Sequence, residues 1–129
     1  VTEESMKGGN MALIFGSAYV LSLLLTMGLM PIVIHQMGIF STLVGEPGFN
    51  DQAGEAYDTF LSLTNTYGDR FRTFKHGLFH GTITGFFIAL PILGTQALFE
   101  RKSFKYVAIN AGYWIVTLAL MGGVICQWF

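Results

Sequence analysis

Three long stretches of this sequence contain no Asp, Glu, Lys or Arg. They run over residues 11–44, 76–99 and 106–129. A helix needs about 20 mostly apolar residues to cross the hydrocarbon core of a bilayer, and each stretch is long enough. Because lipid offers no partners to backbone amides, each stretch must bond within itself as a helix. The sequence therefore predicts an all-α, polytopic membrane bundle with spans over about 11–37, 73–99 and 104–128.

The composition supports a membrane location for the whole chain. Charged residues make up 12% of its 129 residues, about half the share that is usual in soluble domains. The formal net charge of −1 gives no pull toward nucleic acid, and the one cysteine excludes an internal disulfide. We interpret residues 1–129 as a single transmembrane helical domain whose partners include membrane lipids and no nucleic acid.

Two prolines and one polar insertion interrupt this pattern. Pro31 and Pro91 lie inside the first and second spans, where each removes a helix bond and predicts a kink. Residues 45–72 begin with turn residues and continue with apolar side chains three and four apart. This spacing predicts an amphipathic helix that is too polar to span and that lies on the membrane surface or over the bundle.

Small residues recur every four or so positions on the second and third spans. Lipid tails are as apolar as leucine, so spanning helices associate by close packing, and small residues permit it. We predict that such rows form the packing faces within the bundle, or faces toward other subunits or a second copy. The predicted packing glycines are Gly77, Gly81, Gly85, Gly112 and Gly122.

His76 and His80 lie next to the glycine row of the second span and are predicted to face protein. Histidines four apart can also hold one metal ion together, with His35 or Cys126 as a further ligand. The direction of His35 cannot be read beyond the Pro31 kink. We expect His76 and His80 to be structural, with no metal or other cofactor, and we keep a histidine-ligated site as the alternative.

Other chemistry is sparse in this sequence. It contains no Cys-x-x-Cys, no phosphate-binding loop and no nucleophile with an adjacent base, so we expect no enzymatic activity. No carboxylate lies within the predicted spans, which counts against a proton relay or an ion-coupled transporter. Gln96 and Asn110 are predicted to lie at a similar depth, where their amides would hydrogen-bond between helices.

The stretch from Leu98 to Trp128, "LFERKSFKYVAINAGYWIVTLALMGGVICQW", resembles the C-terminal signature of a bacterial membrane family, domain of unknown function 1761. The stretch from Thr2 to Gly16 is similar to a second part of that family. The resemblance implies four membrane helices in a bacterial inner membrane and supplies no catalytic residues. The family usually has one more span ahead of this point, so we expect an upstream helix in the full gene product.

Two hypotheses for function follow from these observations. The first is a small non-enzymatic protein that packs against partners, as an accessory or interaction subunit of a larger inner-membrane complex. The second is a ligand-binding, metal-binding or small-solute transport protein that uses the His76 and His80 end of the bundle.

The distribution of basic residues predicts the orientation of the chain. The short loop between the last two spans carries Arg101, Lys102 and Lys105, which places it in the cytoplasm by the positive-inside rule. In intact cells, an impermeant thiol reagent should label a cysteine at position 48 and should miss a cysteine at position 102. Labelling with the opposite sidedness would overturn this orientation.

Overall fold

A computed structural model describes residues 10–129 of the chain, and within this range every regular element is a helix. Three of the helices are long and apolar enough to cross a membrane, which confirms the predicted all-α bundle with three spans. The described helices are α1 (Met11–Val33), α2 (Gln36–Leu43), α3 (Glu55–Tyr67), α4 (Phe74–Phe99) and α5 (Phe104–Trp128).

Each spanning helix begins at a residue whose side chain accepts a hydrogen bond from a free backbone N–H. The donors lie three residues further on, and the acceptors are Asn10 for α1, Thr73 for α4 and Ser103 for α5. Such caps satisfy amides that have no partner within the first turn of a helix. Polar capping residues therefore set where each span begins.

The first span ends earlier than the sequence predicts. α1 stops at Val33 and not near residue 37, two residues after Pro31, which lacks an N–H and whose ring crowds the carbonyl four residues back. Ile34 is extended, with φ −109° and ψ 97°. Helical structure resumes as α2 with His35 at its first boundary. His35 therefore lies at a break between two helices and not on a continuous span.

The second predicted kink takes another form. α4 continues through Pro91, and the segment Gly85–Ala89 just before it forms a π-helical turn. The N–H of Leu90 bonds to the carbonyl of Gly85, five residues back. A π turn accommodates the missing proline donor without ending the helix, so this span remains unbroken.

The polar insertion folds largely on itself. Within 45–72 the predicted amphipathic helix is α3, which packs on α2. Edge-on aromatic contacts centre on Phe49, which is 5% exposed and touches Phe40, Tyr57 and Phe60. The side-chain amide of Gln36 donates to the carbonyls of Tyr67 and Arg70 and so closes the insertion.

The closest helix contact in the fold joins α4 to α5 through glycine. A Cβ on Gly81 would lie 2.8 Å from the Cα of Ala119, and one on Gly85 would lie 2.6 Å from the Cα of Ile115. A Cβ on Gly77 would overlap the carbonyl of Gly122. Gly112 has open space around it. The structure thus brings four of the five predicted packing glycines into backbone contact.

The predicted amide pair between spans does not form. Gln96 donates to the carboxylate of Glu100, one turn along its own helix, at 2.8 Å. Asn110 donates to the carbonyl of Tyr106, also within its own helix, at 2.8 Å. Local partners four residues away satisfy both amides, so the prediction of an interhelical bond is wrong.

Replacing Gly81 by alanine tests the helix contact. The added methyl group meets the backbone of α5, and overpacking of this kind costs about 1–3 kcal/mol. Gly81→Ala should therefore lower the unfolding temperature in detergent micelles, measured by circular dichroism. Gly112→Ala is the matched control, since its methyl group enters open space. Equal stability of the two variants would contradict the contact.

Candidate functional site

All three histidines of the chain meet at one end of the bundle. His35 comes from the break between α1 and α2, and His76 and His80 come from successive turns of α4. One ring nitrogen from each histidine can be chosen such that all three lie within 4.8 Å of one another. We call these three residues the histidine cluster.

Two features of the sequence bring the cluster together. The glycine face of α4 contacts α5, so the adjacent row that carries His76 and His80 is turned toward the end of α1. The break after Val33 then places His35 opposite that row. In a continuous first helix, His35 would have followed the helical path past α4. The early end of α1 is therefore one of the features that position His35 in the cluster.

The rings are in direct contact. The Nε2 atoms of His35 and His76 lie 2.8 Å apart, which is a hydrogen bond in which one imidazole donates and the other accepts. Ring centroids are separated by 5.0 Å for His35 and His76, 4.9 Å for His35 and His80, and 4.5 Å for His76 and His80. Among residues 10–129 the ring nitrogens of His80 have no hydrogen-bond partner.

Two phenylalanines cover the cluster. Phe71 stacks on His76 with centroids 4.9 Å apart and an interplanar angle of 22°, and Phe79 meets His80 edge-on at 5.6 Å. Phe71 has a φ of +63°, a conformation that costs a non-glycine residue of order 1–3 kcal/mol. Its carbonyl accepts from the N–H of Thr73 at 2.8 Å, which helps to hold the ring in place.

Cys126 is the fourth residue that the sequence offered as a ligand, and it lies outside the cluster. Its side chain is fully buried. Its Sγ lies 3.3 Å from the carbonyl oxygens of both Val33 and Phe71. The single proton of the thiol is donated to one of these carbonyls or shared between them, and the two contacts join the end of α1 and the loop before α4 to α5.

Phe71 is a site residue that sequence reasoning missed. The apolar spacing within 45–72 predicts a helix that would include it, whereas the structure ends α3 at Tyr67 and places Phe71 in the following loop. No sequence signal marks it, because a positive φ is rare for an aromatic residue. The contact with Cys126 that supports this conformation comes from far along the chain.

Access to the cluster is open on one side. His35 is exposed, and His76 and His80 are half-buried. His76 is the third residue of α4 and lies near the end of the span. The cluster therefore lies close to the end of α4, which is a candidate membrane span.

A second feature lies away from the histidines, between α1 and α5. Only Leu29 and Val33 of α1 are buried, so the helix touches the bundle near its C-terminal end. Ahead of that contact a groove opens between the two helices. Its lining includes the polar side chains of Ser22, Tyr113 and Thr117.

The comparisons with known proteins give the family of this chain. No curated protein and no solved structure matches it. A family model described as a protein of unknown function, DUF1761, matches residues 1–126, which confirms the resemblance of the stretch from Leu98 to Trp128. The chain therefore belongs to the DUF1761 family.

Proposed function

We propose that this chain is a non-enzymatic, multi-pass accessory subunit that packs against another membrane protein or a second copy of itself. The groove between α1 and α5 is its docking face. The proposed location is a bacterial inner membrane, in keeping with the family resemblance. The observation that carries the proposal is the exposure of Tyr113 deep within a span.

Tyr113 lies nine residues beyond the first residue of α5, about 14 Å along the helix axis at 1.5 Å per residue. That position is close to the middle of a hydrocarbon core of about 30 Å. The side chain is 64% exposed. A phenolic hydroxyl surrounded by lipid would have no hydrogen-bond partner, and an unsatisfied hydroxyl in an apolar medium is costly.

The residues around Tyr113 favour a protein neighbour over lipid. Thr117 lies one turn further along α5, and Ser22, whose hydroxyl donates to the Ala18 carbonyl of its own helix, lines the groove on the α1 side. Hydroxyl groups of this kind hydrogen-bond between membrane helices, where each such bond contributes about 0.6–2 kcal/mol. A helix seated in the groove would satisfy the phenol and cover the apolar side of α1.

The arrangement of charge is consistent with a binding role. The spans carry no carboxylate, whereas proton relays and ion-coupled transporters depend on ionisable groups within the membrane.

A metal- or ligand-binding role at the histidine cluster is the second candidate function, and the convergence of three imidazoles favours it.

Photo-crosslinking in native membranes tests the docking face. A benzophenone amino acid at position 113 replaces one aromatic side chain by another and should give one discrete protein adduct. The same amino acid at Phe87, which is 69% exposed on α4, is the matched control and should give mainly lipid adducts. An adduct of twice the chain mass would identify a second copy as the partner.

The opposite pattern would contradict the proposal. If positions 113 and 87 both react only with lipid, the groove faces the bilayer and not a partner. If position 87 gives the discrete protein adduct and position 113 does not, the docking face lies on α4.

A further inference from the structure

We propose that His35, His76 and His80 together bind one divalent transition-metal ion, of the class to which Zn²⁺, Cu²⁺, Ni²⁺ and Co²⁺ belong. The inference is independent of the docking face, which lies elsewhere on the bundle. It rests on the convergence of three imidazoles from two separate segments, on the spacing of their nitrogens and on the exposure of His35.

The spacing of the rings suits a single ion. Zinc is bound by histidine nitrogen at about 2.0–2.1 Å, so two nitrogens of a tetrahedral site lie about 3.3 Å apart. In the cluster, the Nε2 atoms of His35 and His76 are 2.8 Å apart, and one nitrogen from each ring lies within 4.8 Å of the other two. Shifts of about 1 Å or less, well within the reach of imidazole rotation, would bring the three nitrogens to the distances of a metal site.

The hydrogen bond between His35 and His76 marks where the ion would lie. Two neutral imidazoles at this distance share one proton between facing lone pairs. A metal ion requires the same two lone pairs without the proton. Binding therefore requires the donating imidazole to move its proton from Nε2 to Nδ1, a change of tautomer with no net loss of a proton, and it recruits His80, whose nitrogens have no other partner within the described chain.

The donor set selects the class of ion. Three neutral imidazoles suit zinc, copper, nickel and iron, whereas Mg²⁺ and Ca²⁺ prefer oxygen ligands. No carboxylate or thiol joins the described cluster, because the Cys126 thiol is engaged by the Val33 and Phe71 carbonyls. Three protein ligands leave a tetrahedral ion one further position, which water or another small ligand from solution would fill.

Aromatic rings flank the cluster. Phe71 and Phe79 place their rings against His76 and His80, and both phenylalanines are more than half exposed. The exposed edge of His35 leaves a path for entry. A bound ion would link the α1–α2 junction to α4, two segments that the hydrogen bond between His35 and His76 already joins.

Metal titration of the whole chain in mild detergent is the test. The protein carries a purification tag without histidine and is freed of metal with a chelator before Co²⁺ is added. We expect one Co²⁺ per chain, with the intense visible absorption of a four-coordinate ion, and displacement by Zn²⁺. Single variants His35→Gln, His76→Gln and His80→Gln should each weaken Zn²⁺ binding by more than the roughly 10–100-fold that loss of an outer-shell partner costs.

Two matched controls separate the cluster from its neighbours. Met37→Leu changes a partly exposed apolar residue two positions after His35 and should keep the stoichiometry and the affinity. Cys126→Ser keeps a donor to the two carbonyls and should also retain one ion per chain. Circular dichroism and gel filtration identify any variant that fails to fold.

Several results would overturn the proposal. Binding of less than a tenth of an equivalent would do so, as would unchanged affinity in folded His35→Gln. X-ray absorption at the zinc edge of the unmodified protein provides a second measurement that needs no variant. Three imidazole ligands are expected, whereas a sulfur ligand or only two imidazoles would refute the site as described.

Discussion

Backbone contact between α4 and α5 is the interaction on which the rest of this structure depends. Gly77 and Gly81 bring the two helices together without intervening side chains. In a bilayer, where helices gain nothing from leaving water, such close packing is the principal source of association. The contact also fixes the rotation of α4 about its axis. The row next to the glycines must then face the end of α1, which is how His76 and His80 come to meet His35.

The two prolines show how the surroundings decide what a missing amide donor does. Pro91 lies within a span, and the π turn before it keeps the helix continuous. Pro31 lies near the end of α1, where the chain leaves the helix two residues later. The break frees carbonyl groups that need donors, and the Cys126 thiol lies 3.3 Å from one of them, that of Val33. A cysteine on α5 thus stabilises the break that places His35.

The parts of the fold that follow from local sequence could be predicted. The charge-free stretches gave the three spans, and the spacing of apolar residues within 45–72 gave α3. The remainder depends on contacts between distant segments. The end of α1 at Val33, the direction of His35 and the positive φ of Phe71 each require a partner more than thirty residues away. Gln96 was predicted to bond between helices from its depth alone, yet a carboxylate one turn along its own helix was the nearer partner. Of the site, the sequence supplied the three histidines, and their convergence only as an alternative, because the direction of His35 beyond Pro31 could not be read.

The central claim is that the break after Pro31 brings His35 into contact with the histidine row of α4. Nitrogen-15 NMR of metal-free protein labelled at histidine tests it directly, and the chain has only three histidines to assign. We expect a coupling across the hydrogen bond between Nε2 of His35 and Nε2 of His76, and its loss in the His35→Gln variant. Three uncoupled imidazoles with no contacts between their ring protons would contradict the account.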